Sequence, residues 1–298
     1  MPVTLDNGRL RAEFDPLGAQ LTSLRDACGT QYIWHADPAV WGRHAPNLFP
    51  VIGRLKDGQY TLAGETYSIP PHGFARDSVF TVAGQTDTSV SFRLTDTEET
   101  RAVYPFSFAL TIAYSLEENC LLKSCTVENF SDRVLLYELG GHDGYRIPLE
   151  AGETMADYAI RLPGVEELKP YGMDPTGLIT PKEASFPLNG GQIALTPSTY
   201  GLDTVILDRL PQRRASLVDR AGRERVRVDF PDFPCLGLWT PDKPFDTGFV
   251  CIEPWSSLPD ARFVGRGLED KMGIRSLPPG GREALRYTVT CFERSNLS

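Results

Sequence analysis

Several signatures of common functions are missing from this 298-residue chain. No glycine-rich phosphate loop opens a helix, so nothing supports a nucleotide fold. Gly-x-Ser-x-Gly is absent, which removes the usual serine-hydrolase signal. Histidines number only four and are dispersed, and neither His-Glu-x-x-His nor Cys-x-x-Cys spacing occurs; no metal site and no cofactor is expected. No apolar run approaches the ~20 residues needed to cross a bilayer. The start, Met1-Pro2-Val3, runs straight into alternating sequence without the charged and apolar regions of an export signal, so a cytoplasmic protein is the expectation.

Positive charge is also in short supply. The formal net charge is −9, and the densest basic spots, Arg213-Arg214 and Arg223 to Arg227, are interrupted or flanked by acidic residues. Phosphate-backbone binding draws most of its affinity from Lys and Arg clusters, so a nucleic-acid partner is not expected. The six cysteines are scattered among apolar or β-forming neighbours and read as small buried hydrophobes in a reducing compartment.

Hydrophobic residues make up 41% and charged residues 23%, enough for a folded chain with a substantial core. The dominant pattern is period two. Phe108, Leu110, Ile112, Tyr114 and Leu116 share one face, Glu117 to Asn119 turn, and a return strand runs from Cys120 to Val127. A second hairpin, Gln59–Gly64 with Glu65–Ile69, turns at Ala63-Gly64. Further strands are predicted within 3–25 around a bend, and at 89–94, 134–139, 204–210, 215–218, 225–230, 249–252 and 285–291. Asp37-Pro38 is placed to start a short helix through Trp41. Five prolines and Asn189-Gly190-Gly191 make 151–191 irregular, with loops expected over a sheet edge. No linker and no repeat interrupts the chain, so residues 1–298 are expected to form one all-β domain, a large antiparallel β-sandwich with few short helices.

The groups suited to chemistry are concentrated in a few places. From Asn47 to Asp77, His72, Arg54, Lys56, Arg76 and Asp77 stand among Phe49, Val51, Ile52 and Phe74, and polar groups beside apolar neighbours are costly unless bonded or used. His72 precedes Gly73, which permits a close backbone approach; it either serves a site or only braces its own loop. His142 ends a strand between glycines, where an imidazole near neutral pKa suits proton transfer. Glu253 follows four apolar residues and precedes Pro254-Trp255; a carboxylate so placed is expected to have a raised pKa and suit a general base, unless it simply faces water. Asp203 would fix a hydroxyl or merely begin a strand. Trp239 and Trp255 would stack on a sugar or pack in the core.

Asn47-Leu-Phe-Pro-Val-Ile-Gly-Arg54, His72-Gly-Phe-Ala-Arg-Asp77, Gly140-Gly-His142 and Cys251-Ile-Glu-Pro-Trp255, in this order, resemble the aldose 1-epimerase (galactose mutarotase-like) family, especially its LacX-like bacterial branch. Gly18 to Leu24 and Trp239-Thr-Pro241 match as well. The resemblance implies a mutarotase-type sandwich with a monosaccharide in an open cleft, and cofactor-free interconversion of the anomers of an aldose. It implies Glu253 as base and His142 as acid, with His72 near the ring oxygen and Arg54, Arg76 and Asp203 holding hydroxyls or partners. A monomer or homodimer is expected. Two alternatives accompany this reading: a hexose-phosphate mutarotase using Arg54, Lys56 and Arg76 as a cationic pocket, and a non-catalytic sugar-binding or sensor protein on the same scaffold. One departure stands out, because the branch pattern after the second histidine is Pro-x-Phe-Asn and this chain has Asp143-Gly-Tyr-Arg146, which bears on sugar preference.

Overall fold

The computed structural model describes residues 2–182, 185–195, 204–241 and 247–293. Two antiparallel sheets carry the architecture. The larger has nine strands, ordered Gln192–Ala194, Tyr158–Arg161, Arg214–Asp219, Glu224–Asp229, Arg282–Cys291, Cys120–Asn129, Phe108–Glu117, Ser89–Thr95 and Thr81–Gln85. The smaller runs Thr204–Asp208, Cys235–Trp239, Phe249–Trp255, Gly140–Gly141 and Asn47–Leu48, with Asp143–Arg146 also paired to Phe249–Trp255. A three-stranded sheet, Val3–Asp6, Leu10–Asp15 and Gln20–Asp26, occupies the N-terminal region.

Alternation explains how the sheets meet. In Phe108–Glu117 the apolar positions from Leu110 onward are buried and the intervening ones half-exposed, as a strand with one face on a core requires. Ile112 and Tyr114 from the large sheet and Val250 and Ile252 from the small one enter the same core cluster. Polar contacts also cross between sheets: Asn47 Nδ2 lies 3.3 Å from the Tyr114 hydroxyl and Lys123 Nζ 3.5 Å from Asp143 Oδ1. The result is the β-sandwich expected from the period-two pattern.

Three local features differ from the sequence reading. Residues 3–25 hold three strands rather than two. Asp37–Trp41 forms a turn, not a helix: the Asp37 side chain accepts the Ala39 amide, and its carbonyl accepts those of Val40 and Trp41. Helix appears instead at Glu98–Val103, where Thr97 and Thr100 form a capping box and Glu98 and Glu99 occupy the positive end of the dipole. The segment 151–191 is irregular as predicted, with short pairings such as Gly172–Met173 against Ile179–Thr180. Donation from the Tyr171 amide to the Ile206 carbonyl attaches it to the edge strand of the small sheet.

Candidate active site

Strand register builds the floor of a cleft on the small sheet. Gly140 lies opposite Trp255 and Asp143 opposite Ile252, so the intervening His142 falls beside Glu253 on the adjacent strand. Residues two apart on a strand share a face, which puts Cys251, Glu253 and Trp255 on the cleft side. Gly237 and Trp239 flank Glu253 and Cys251 from the next strand. His142 Nε2 stands 3.4 Å from Glu253 Oε2, and the two residues are only 8% and 1% exposed. Trp41 stacks on the His142 ring at 5.0 Å and meets Trp239 edge-on at 5.5 Å. The Cα of Gly144 is needed bare here, since a Cβ would come within 2.9 Å of the Trp41 ring.

A wall of turns rises beside this floor. The His72 amide donates to the Gly53 carbonyl at 2.8 Å, and the Gly53 amide points to His72 Nδ1 at 3.3 Å. An accepting Nδ1 leaves the ring proton on Nε2. The His72 and His142 rings meet edge-on at 5.4 Å. His72 adopts φ 65°, a left-handed conformation uncommon for a residue with a side chain and frequent at functional sites. Gly73 follows at φ 72°, where a Cβ would collide with the Phe49 carbonyl, so the expected close approach is real. The loop carrying Arg54 is held at both ends by buried carboxylates: Glu138 accepts the Ile52 amide at 2.7 Å and Asp260 the Lys56 amide at 2.9 Å.

Arg54, His72, Arg76, His142 and Glu253 therefore line one cleft of about 400 Å³. Asp203 lies outside the described residues, although its neighbour Thr204 lines the cleft. Trp239 and Trp255 both belong to its lining, and both also pack in apolar clusters: Trp255 is buried with Leu48 and Ile206, and Trp239 lies against Trp34, Phe249 and Cys251. Trp41, Met173 and Gly177 were not anticipated. Trp41 carried a signal only as the end of a supposed helix, and Met173 and Gly177 none, because they arrive on the irregular segment. Lys56 is not part of this lining: its Nζ donates to the Val264 carbonyl and the side chain borders a neighbouring depression.

Desolvation dominates the electrostatics. Burial, then the charges of Arg76 and Arg43, bring His142 down to about 3. His72 is also held well below the usual histidine range, first by burial and then by His142, Arg76, Arg43 and Arg54. Both imidazoles are neutral near pH 7 in the free protein. Burial, with Glu253 and Asp143 nearby, pushes the Cys251 thiol far up. Donor atoms of His142, Cys251 and Glu253 lie within 4.8 Å of one another. We assign no metal to them, because the guanidinium charges acting on His142 oppose a cation there.

Asp143 and Tyr145 point the other way. The Tyr287 hydroxyl donates to Asp143 Oδ2 at 2.7 Å and Lys123 Nζ donates to the Tyr287 oxygen at 2.7 Å, all three residues being buried between the sheets. Thus the departure at Asp143-Gly-Tyr-Arg146 is mostly a change behind the floor. Arg146 is exposed, and only Gly144 touches the cleft side.

Comparison with known proteins identifies the family and the fold. Residues 1–269 match the family model described as aldose 1-epimerase. Two LacX proteins of Lactococcus lactis subsp. lactis, one chromosomal and one plasmid-borne, are each 32% identical over 97% of this chain and 99% of their own length. A galactose mutarotase related enzyme from Lactobacillus acidophilus superposes with a TM-score of 0.93 at 32% identity, covering 99% of both chains. A galactose mutarotase-like protein from Lactobacillus casei gives 0.90 at 28% identity, over 98% of this chain and 100% of its own.

Proposed function

We propose that this chain, which belongs to the aldose 1-epimerase family, is a mutarotase that interconverts the α and β anomers of an aldose by ring opening and reclosure. The observation that carries the reading is the buried pairing of His142 with Glu253 at 3.4 Å on adjacent strands, at the base of a sugar-sized cleft lined by three tryptophans. Anomerisation needs one group to take the proton of the C1 hydroxyl and another to give one to the ring oxygen. Those two oxygens share a carbon, so acid and base must stand side by side.

The Glu253 carboxylate removes the hydroxyl proton as the C1–ring-oxygen bond breaks, and His142, which burial holds neutral in the free protein and which must therefore first take up a proton, delivers that proton as imidazolium to the departing ring oxygen. An open aldehyde results. Rotation about the C1–C2 bond presents its other face, and the same pair, now carboxylic acid and neutral imidazole, runs the steps in reverse. Trp41, Trp239 and Trp255 offer apolar faces to sugar C–H groups. The Nε2–H of His72 is placed to donate to a sugar oxygen, and Arg54 to hold a hydroxyl.

Relaxation of optical rotation, or two-dimensional NMR exchange between anomers, tests the reading over a panel of aldoses. Acceleration of at least one is expected. A protein that binds aldoses yet accelerates none would be the sensor alternative instead.

A further inference from the structure

His72 owes its place to the bend at Val51–Gly53, not to a strand of its own. Its amide donates to the Gly53 carbonyl at 2.8 Å, and the Gly53 amide points back to its Nδ1 at 3.3 Å. Two contacts with one residue therefore set both its backbone and its ring. A neutral imidazole carries a single proton, so the nitrogen that accepts decides what the other presents. With Nδ1 accepting, the cleft that His72 lines meets an Nε2–H. Were the Gly53 amide turned away, the proton would be free to sit on Nδ1 and the cleft would meet a lone pair instead. A sugar ring oxygen has no proton and can only accept, so the two tautomers are opposites for it.

What aims the Gly53 amide lies one peptide earlier. The Ile52 amide donates to Glu138 Oε2 at 2.7 Å, and the Glu138 amide donates to the Pro50 carbonyl at 2.8 Å, so one residue grips the bend at two points. Glu138 is itself firmly set. It stands between Leu135–Tyr137, which pairs with Arg275–Leu277, and Gly140–Gly141, which pairs with Trp255 and with Asn47–Leu48. The segment that brings His142 to the floor thus also brings the group that seats His72 on the wall. The Glu138 carboxylate is fully buried, and Lys271 Nζ, also buried, lies 3.5 Å from its Oε1. A buried ion pair is weak support for a fold, because an apolar pair of similar volume often serves as well. The bond to Ile52 is different: a buried N–H without an acceptor is costly, and the peptide must turn to find another. Ile52 is fully buried in a cluster with Leu48, Ile206 and Trp255, where water does not stand ready to replace the carboxylate.

We infer that Glu138 is a positioning residue: by holding the bend at Val51–Gly53 it fixes the Nε2–H tautomer of His72, and so gives the cleft a hydrogen-bond donor beside His142. The consequence for a sugar rests on the mutarotase reading above; the tautomer does not. The other end of the same loop supplies a contrast. Asp260 accepts the Lys56 and Ala261 amides through its carboxylate and the Ile179 amide through its carbonyl, and none of these bonds reaches Gly53 or His72. It braces the loop without aiming the ring.

Ring ¹⁵N NMR of the sugar-free protein reads the tautomer, because protonated and unprotonated imidazole nitrogens have well-separated shifts. The wild type should carry the His72 proton on Nε2. Glu138→Gln with Lys271→Met keeps an acceptor for Ile52 without a buried charge and should leave the His72 signals in place. Glu138→Leu with Lys271→Met removes the acceptor and should send the proton partly or wholly to Nδ1. Both double variants lose the ion pair, so the difference between them isolates the partner of Ile52. In anomer exchange the leucine double should raise KM about two- to tenfold with kcat little changed, and the glutamine double should not. Asp260→Ala should leave the His72 signals alone. If the leucine double does not fold, Glu138→Asp takes its place, since it keeps the charge but draws the acceptor back by one methylene, and the same shift is expected. A proton on Nδ1 in the wild type, or equal His72 signals in the leucine and glutamine doubles, would overturn the inference. So would an Asp260→Ala variant that moves the ring signals as far as the leucine double does, because general slackening of the loop would then be the cause. A tautomer that shifts while KM stays put overturns the consequence for the sugar. No exchange of any aldose by the wild type, with the tautomers as expected, overturns the mutarotase reading and keeps the role of Glu138.

Discussion

His142 and Glu253 sit on or between paired strands in fixed register, whereas Arg54, His72 and Arg76 sit on turns and short 3-10 segments, Arg54 just before one at Lys56–Gly58 and Arg76 within one at Ala75–Asp77. The floor is positioned by ladder hydrogen bonds and by a buried ion pair behind it; the wall is positioned by single backbone contacts to buried carboxylates and carbonyls. On the proposed mutarotase reading, proton transfer, which tolerates little misplacement, falls where neighbouring strands set every coordinate. Contacts that choose among substrates stand on loops, which accept change without disturbing the sheet.

The largest blow to that division comes from Glu253→Gln. It keeps the shape of the floor but removes the proposed base, and kcat should fall by ~10²–10⁴-fold while sugar binding, followed by calorimetry, persists. A comparable loss of binding would mean that Glu253 belongs to recognition as much as to chemistry.

Next is the pair behind the floor. Lys123→Met leaves Asp143 buried with only the Tyr287 and Tyr145 hydroxyls to bond it and no cation, and urea unfolding should show a loss of ~3–5 kcal/mol. Replacing both, as Lys123→Met with Asp143→Leu, should recover most of that stability, since the cost lies in the orphaned charge. Failure of the double variant to recover would show that the ion pair itself sets the sheet spacing.

Acid should weaken the floor in a definite window. His142 takes its proton near 6.5 in the unfolded chain and only near 3 in the folded one, and His72 shifts in the same direction. Between those values the unfolded chain binds more protons, so this contribution to stability is full above about pH 6.5 and is lost as pH falls toward 3. Denaturant midpoints measured across that range for the wild type and for His142→Gln should diverge at high pH and converge at low pH.

The mildest effect belongs to the wall. Arg54 is exposed and unpaired among the described residues, so Arg54→Ala should shift stability by within ~0.5 kcal/mol. Its consequence should be a raised KM with kcat little changed. A fall in kcat alone would move Arg54 from the wall into the chemistry.

How far the sequence disclosed this arrangement follows the same line. Phe108–Glu117 with Cys120–Asn129 was readable because one face is buried and the other is not, which writes itself as strict alternation. Gly140–Gly141 and Asp143–Arg146 were not readable as strands, because glycine carries no periodic signal and pairing alone makes them strands. The helix at Glu98–Val103 had its cap in Thr97 and its acidic first turn in plain view, but no buried face to give it a 3.6-residue period. Five site residues were named from local motifs and resemblance, whereas Trp41 reaches the cleft through a turn whose path only the tertiary fold determines. Cys251 was read as a small buried group, which it is; its facing the acid–base pair depended on register with Trp239 and Gly144.

Bare glycines on the floor have one more consequence. A Cβ on Gly141 would strike the Tyr287 hydroxyl, one on Gly237 the Trp255 ring, and one on Gly140 would come within 2.8 Å of that ring. In a saturation library these three positions should be barren, tolerating not even alanine. Diversity that retunes the cleft for another ligand has to enter through the turns at Arg54 and Arg76, where a side chain can change length without moving a strand.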